Sequence, residues 1–185
     1  MGKSNKMSKS KKIITVTLVS LLAVFLLYIA FCYVYKKVKY APFLEASDKF
    51  ITDAIAYKNG EKEDFKYEGY VVSAFPSQFF YSFGGNLAVT QTYYTESDEK
   101  TGESRQVEDT VDLMIWPKLF GGYKTGVEID PVSGRGASFY VDEDMNLIED
   151  EHVDEFIRGV YEKYKDSIRD DFVVAHEIFG IYDIE

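Results

Sequence analysis

The sequence predicts an α+β protein carried on one membrane helix. In order, it calls for an N-terminal transmembrane segment, a second helix, an antiparallel sheet of about five or six strands and a C-terminal amphipathic helix. Three observations predict this. Ile13 to Tyr35 run for 23 residues without a charged side chain. Beyond Asn59-Gly60 the apolar residues change from a helical period to alternation, interrupted by Gly- and Pro-rich turns. From Glu151 the helical period returns, with Val153, Phe156, Ile157, Val160, Tyr161, Tyr164 and Ile168 three and four apart.

At about 1.5 Å per helical residue the apolar run reaches about 34 Å, enough for a hydrocarbon core of about 30 Å. Lys3, Lys6, Lys9, Lys11 and Lys12 precede it, and Lys36, Lys37 and Lys39 follow. This lysine excess predicts a cytoplasmic N-terminus and a C-terminal domain outside the cell membrane. Tyr28, Tyr33, Tyr35 and Tyr40 crowd the outer end, where amphipathic rings suit the headgroup layer. A cleaved signal peptide is disfavoured, because its apolar core is typically about 7–15 residues and ends at a small-x-small site. Bulky Phe31 before Cys32 likewise departs from a lipoprotein cleavage site, and Lys6 departs from the myristoylation pattern. The organisation expected is a basic cytoplasmic tail over 1–12, a span over 13–35, a juxtamembrane linker over 36–42 and an acidic domain over 43–185.

Residues 1–40 hold eight of the 21 basic residues and no acid, which leaves the domain 13 basic against 31 acidic residues, a formal charge of −18. Such a surface repels nucleic acid and anionic headgroups, so nucleic-acid binding is disfavoured on electrostatic grounds. Cys32 is the only cysteine and lies in the span, so the domain forms no internal disulfide. No Asn-x-Ser/Thr sequon is present either, and the two absences together suit a bacterial cell surface. The span has no Gly-x-x-x-Gly pair, although Ser20 and Ala23 would permit close helix contact, so oligomeric state is not specified.

Within the domain, Phe43 to Tyr57 reads as a helix stopped by Asn59-Gly60. Strand candidates are Tyr67–Phe75, Phe79–Phe83, Leu87–Thr95, Val107–Trp116, Tyr123–Asp130 and Arg135–Val141, with Leu147-Ile148 as a short return. The polar stretch Glu96–Gln106 reads as a mobile hairpin loop. Asp150 is the expected N-cap of the last helix. Residues 170–185 suit either a helix or a closing strand.

No catalytic constellation is legible, and no cofactor is expected. Asp142, Asp144 and Asn146 match the first three ligands of a calcium loop, but Leu147 stands where its glycine belongs and Val153 where its closing Glu belongs. An acidic turn before a helix is the simpler reading. His176-Glu177 begins a zincin-like pattern whose second His falls at Gly180, and His152 is the only other histidine. The stronger surface candidates are aromatic. Trp116, Phe120 and Tyr123 surround a Pro/Gly-rich connection, and Phe79 and Phe80 follow Pro76 in a second one. The function expected is therefore a non-enzymatic, membrane-anchored protein-binding or assembly module. The competing reading is a ligand or ion sensor, with a pocket between sheet and C-terminal helix.

Overall fold

The computed structural model describes residues 9–91, 95–97, 104–106 and 108–182. The elements are α1 (Lys9–Lys58), β1 (Tyr70–Pro76), β2 (Gly85–Gln91), β3 (Thr95–Ser97), β4 (Ser104–Gln106), β5 (Thr110–Pro117), β6 (Tyr123–Asp130), β7 (Ala137–Val141) and α2 (Glu155–Phe179). The fold class is α+β. The first helix is the largest departure from expectation. The linker anticipated over 36–42 is helical, and the helix anticipated over Phe43–Tyr57 is the last part of one 50-residue helix. Pro42 lies inside it, where it deletes one backbone hydrogen bond without ending the helix. Burial of Tyr40 and Phe50 on either side holds this stretch against the domain. The end falls where the sequence places it: Gly60 has φ 73°, and the amide of Glu61 donates to the Ala56 carbonyl at 2.9 Å.

Five strands form an antiparallel sheet in the order β1-β2-β5-β6-β7, and β3 and β4 pair separately. In β6 the predicted bounds are the observed ones, because Gly121-Gly122 and Pro131 punctuate it on both sides. Alternation sorts the faces. Val72, Leu87, Val89, Val111, Leu113, Ile115, Val127 and Ile129 are buried on one face, beneath both helices. Each such aliphatic side chain contributes roughly 1.5–3 kcal/mol on burial. Helix α2 supplies Ile168, Phe172, Ala175 and Phe179 to that core. Helix α1 joins through the Ser47 hydroxyl, which donates to the Val72 carbonyl at 3.2 Å, and through Phe43, edge-on to Phe179 at 5.8 Å.

Several local expectations are corrected. Phe79–Phe83 forms a turn, since the Phe83 ring packs on α1 instead of continuing a strand. Leu147 contributes one isolated bridge to Val141. The N-cap of α2 is Asp154, whose carboxylate accepts from the Ile157 amide at 2.9 Å, while Asp150 caps the preceding turn by accepting from the His152 amide. Residues 170–179 are helical and Gly180 closes α2 in the left-handed region. Of the loop over Glu96–Gln106, residues 98–103 lie outside the described residues, as do the tail residues 1–8 and the last three residues.

Strand direction has one consequence for surface chemistry. In an antiparallel meander the ends of β1, β5 and β7 and the starts of β2 and β6 share one end of the sheet. The turns over 77–84, 118–122 and 142–146 therefore gather there, and the first two meet α1.

Candidate functional site

Two surfaces collect the aromatic residues singled out in the sequence. The first is a collar around α1, built from the turns over 77–84 and 118–122. Tyr28, Phe31 and Tyr35 lie on one helix face, and the ring of Phe83 sits against all three at 5.5, 5.6 and 5.5 Å. Side chains of α1 donate to the carbonyls of both turns. Tyr28 reaches Tyr81 at 2.8 Å, and Tyr35 reaches Leu119 at 3.0 Å. The Lys36 ammonium reaches both Ser77 and Phe79 at 2.7 Å, and Lys39 reaches Lys118. Inside the turns, the Ser77 amide donates to Gly84 and the Lys118 amide to Gly122. With its backbone tied inward, the collar turns its rings outward: Phe79 is 63 %, Phe80 57 % and Phe120 97 % exposed. Gly121 and Gly122, at φ 101° and 73°, allow the tight turn that holds Phe120 at its apex.

The second surface is the sheet face that carries no helix. Ser73, Ala88, Met114, Gly126 and Tyr140 form one cross-strand row, and Thr90, Asp112, Glu128 and Ser138 form the next. Trp116 lies on this face, half-buried, edge-on to Tyr140 at 6.5 Å. Gly126, diagonal to it on β6, makes room for it, since a Cβ there would stand 3.0 Å from the indole. The Lys124 ammonium covers the Tyr140 ring at 3.7 Å. Tyr123 falls elsewhere. Its ring packs on Tyr182 at 5.4 Å, and burial raises its phenol pKa. The five aromatic candidates thus divide between collar (Phe79, Phe80, Phe120), open sheet face (Trp116) and core edge (Tyr123).

The acidic turn over 142–146 uses its first carboxylate internally. Asp142 accepts from the Asp144 amide at 3.0 Å, the Asn146 amide at 2.8 Å and the Asn146 side chain at 3.2 Å. That is an Asx-type turn closing β7. His176 lies at the C-terminus of α2 with Nδ1 2.6 Å from the Tyr182 carbonyl, whereas His152 is far along the chain beside Glu151. Glu177 pairs with Lys66 and Tyr67. Among the described residues no three His, Cys, Asp or Glu side chains stand where they could hold a metal ion.

One group that the sequence did not single out is Asp171, on the inner face of α2. It is fully buried and neither carboxylate oxygen has a hydrogen-bond partner, although the Gln91 side chain leans toward it. Burial first, then the charges of Asp112 and Asp170, push its carboxyl up to about 9, so it is neutral at pH 7. Asp112 itself is raised, chiefly by burial. An aspartate in an acid-rich helix gives no sequence signal of this kind. Comparison of the chain with protein-family models, curated proteins and solved structures finds no match.

Proposed function

We propose that the chain is a single-pass membrane protein with residues 1–12 in the cytoplasm, and that its acidic domain, outside the membrane, is a non-enzymatic protein-binding or assembly module. The long N-terminal helix is apolar and long enough to cross a bilayer, and its apolar window is wholly unburied by the rest of the chain. The lysine asymmetry supports the orientation. One observation carries the binding role: the sheet buries one face under α1 and α2 and leaves the other without a helix, with Trp116, Met114 and Tyr140 across it. A half-buried Trp with polar neighbours is the residue type that anchors interfaces. The exposed carboxylate of Glu128, two rows along the same face from the Trp116–Lys124 pair, favours a partner with a basic group at that end.

A photo-crosslinking side chain placed at Ser138, in the full chain within the producing cells, tests this reading. The expected result is one dominant partner captured from Ser138 and not from Glu162, which lies exposed on α2. Trp116→Ala should weaken that capture, by about 2 kcal/mol or roughly thirty-fold in affinity. Equal capture from both positions, or none from Ser138, removes the sheet face as a binding surface.

A further inference from the structure

We propose that the collar is a membrane-inserted surface, with Phe79, Phe80, Tyr81, Leu119 and Phe120 entering the outer leaflet of the bilayer that α1 spans. This rests on the anchoring reading above and adds a second contact between domain and lipid. Height along the helix is the first argument. Tyr28 and Tyr35 are seven residues apart, about 10 Å of helix. Both are held by the collar, Tyr28 through the Tyr81 carbonyl and Tyr35 through the Leu119 carbonyl. The collar therefore sits level with the last third of the Ile13–Tyr35 run. Below it the apolar helix stands alone only from Ile13 to Leu27, 15 residues. That is about 22 Å, short of the roughly 30 Å of hydrocarbon it has to cross. Lipid at the missing depth meets the collar.

The backbone is the second argument. Irregular chain enters an apolar layer only where its polar groups are satisfied from within the protein. Here four side chains of α1 donate to five turn carbonyls, those of Ser77, Phe79, Tyr81, Lys118 and Leu119. Side-chain and backbone acceptors within the turns take the amides of Ser77, Phe79, Ser82, Gly84, Lys118 and Gly121. A turn facing water has no need of this arrangement, since water supplies the same bonds.

The side chains left outside point the same way. Phe79 stacks on Tyr81 at 5.6 Å and Phe80 meets Tyr81 edge-on at 5.2 Å. The result is a contiguous, outward-facing aromatic ridge of the kind found at bilayer interfaces. A groove of about 810 Å³ between α1 and this ridge is lined by Lys36, Lys37, Leu44 and Phe80, with Glu45 and Asp48 farther along α1 from the span. It pairs an apolar wall with ammonium groups at headgroup height and carboxylates beyond them. The acidic turn over 142–146 shares this end of the sheet on the β7 edge, away from β1 where α1 packs, and its Glu143 carboxylate approaches the collar at Gly122, so that side of the Phe120 turn stays at headgroup height.

Depth-dependent fluorescence quenching decides it. The full chain is reconstituted in phosphatidylcholine vesicles containing lipid brominated either high on the acyl chain, to reach the collar, or near its end, to reach the middle of the span. In a Trp116→Phe background, single tryptophans are introduced by Leu22→Trp in the span, Phe120→Trp in the collar and Val132→Trp at the opposite end of β6. We expect strong quenching at 22 and 120 and little at 132. Quenching at 22 without quenching at 120 overturns the proposal and leaves the anchor standing. Absence of quenching at 22 overturns the anchor and the proposal together. Equal quenching at 132 overturns the proposal by showing that the whole domain lies in contact with lipid. Phe120→Trp with Trp116 retained, read against the wild type, supplies the same comparison should Trp116→Phe fail to fold.

Discussion

Asp171→Asn is expected to make the protein more resistant to unfolding at pH 8, with the gain shrinking as the pH falls to 5. The sign follows from linkage. The carboxyl of Asp171 titrates at about 9 when folded, against 3.8 when unfolded. The unfolded chain therefore releases its proton first. As pH rises between those values, the folded state must either keep a proton that the solvent withdraws or bury an unpartnered charge. Stability is thus full below about pH 4 for this group and declines as pH climbs toward 9, by up to about 1.4 kcal/mol per pH unit. From pH 5 to 8 the wild type should lose several kcal/mol, and Asp171→Asn should be much flatter over the same interval, keeping only the slope of the same sign that Asp112, also raised by burial, contributes. The ion-paired carboxylates do not confuse the window. Asp109, Glu149 and Glu177 are lowered, by hydrogen bonds from Tyr164, Arg158 and Lys66 respectively. Their contributions are present above their unfolded values and fade only in more acid solution. Thermal melting of the reconstituted chain at four or five pH values measures the effect. Parallel curves for wild type and Asp171→Asn would refute the account of this group.

The second large effect is at Tyr40, which joins α1 to the sheet. Its ring is fully buried, edge-on to Phe43 at 6.2 Å and against Gly85, where an added Cβ would lie 2.7 Å from it. Its hydroxyl has no hydrogen-bond partner, and burial pushes its pKa up to about 12. The ring and not the phenol oxygen should carry the stability. Tyr40→Ala is expected to lose about 3–5 kcal/mol. Tyr40→Phe should be within about 1 kcal/mol of wild type, or above it, because an unsatisfied buried hydroxyl is removed. Denaturant unfolding of both variants, followed by the emission of Trp116, measures this. Equal destabilisation by the two would show that the hydroxyl has a partner after all.

Much of the architecture was legible because it follows from periods that the chain states locally. The apolar run, the alternation of β6 between its Gly and Pro boundaries and the Ile157–Tyr161–Tyr164–Ile168 spacing each follow from one element's own period. What was not legible depends on several elements at once. The stretch from Lys36 to Pro42 has no apolar period and contains a proline, so it resembled a linker. It is helical because Tyr40 and Phe50 are buried against the domain on either side of Pro42. Phe79–Phe83 resembled a strand by composition, yet Phe83 is drawn to three rings of α1. Phe79, Phe80 and Phe120 could be recognised as surface candidates, but their common height depends on strand direction. Asp154 displaced Asp150 as the cap because Asp150 was already serving a turn. Asp171 stayed hidden, since its neighbour Asp170 has the same chemistry and faces solvent.

The central claim is a chain threaded once through the membrane, with its domain outside. Cysteine labelling in intact cells tests it most directly. In a Cys32→Ala background, single cysteines are placed by Ser4→Cys and Val132→Cys and exposed to a membrane-impermeant maleimide. The account predicts rapid labelling at 132 in intact cells and labelling at 4 only after permeabilisation. Labelling at 4 in intact cells, or protection at 132, would contradict it.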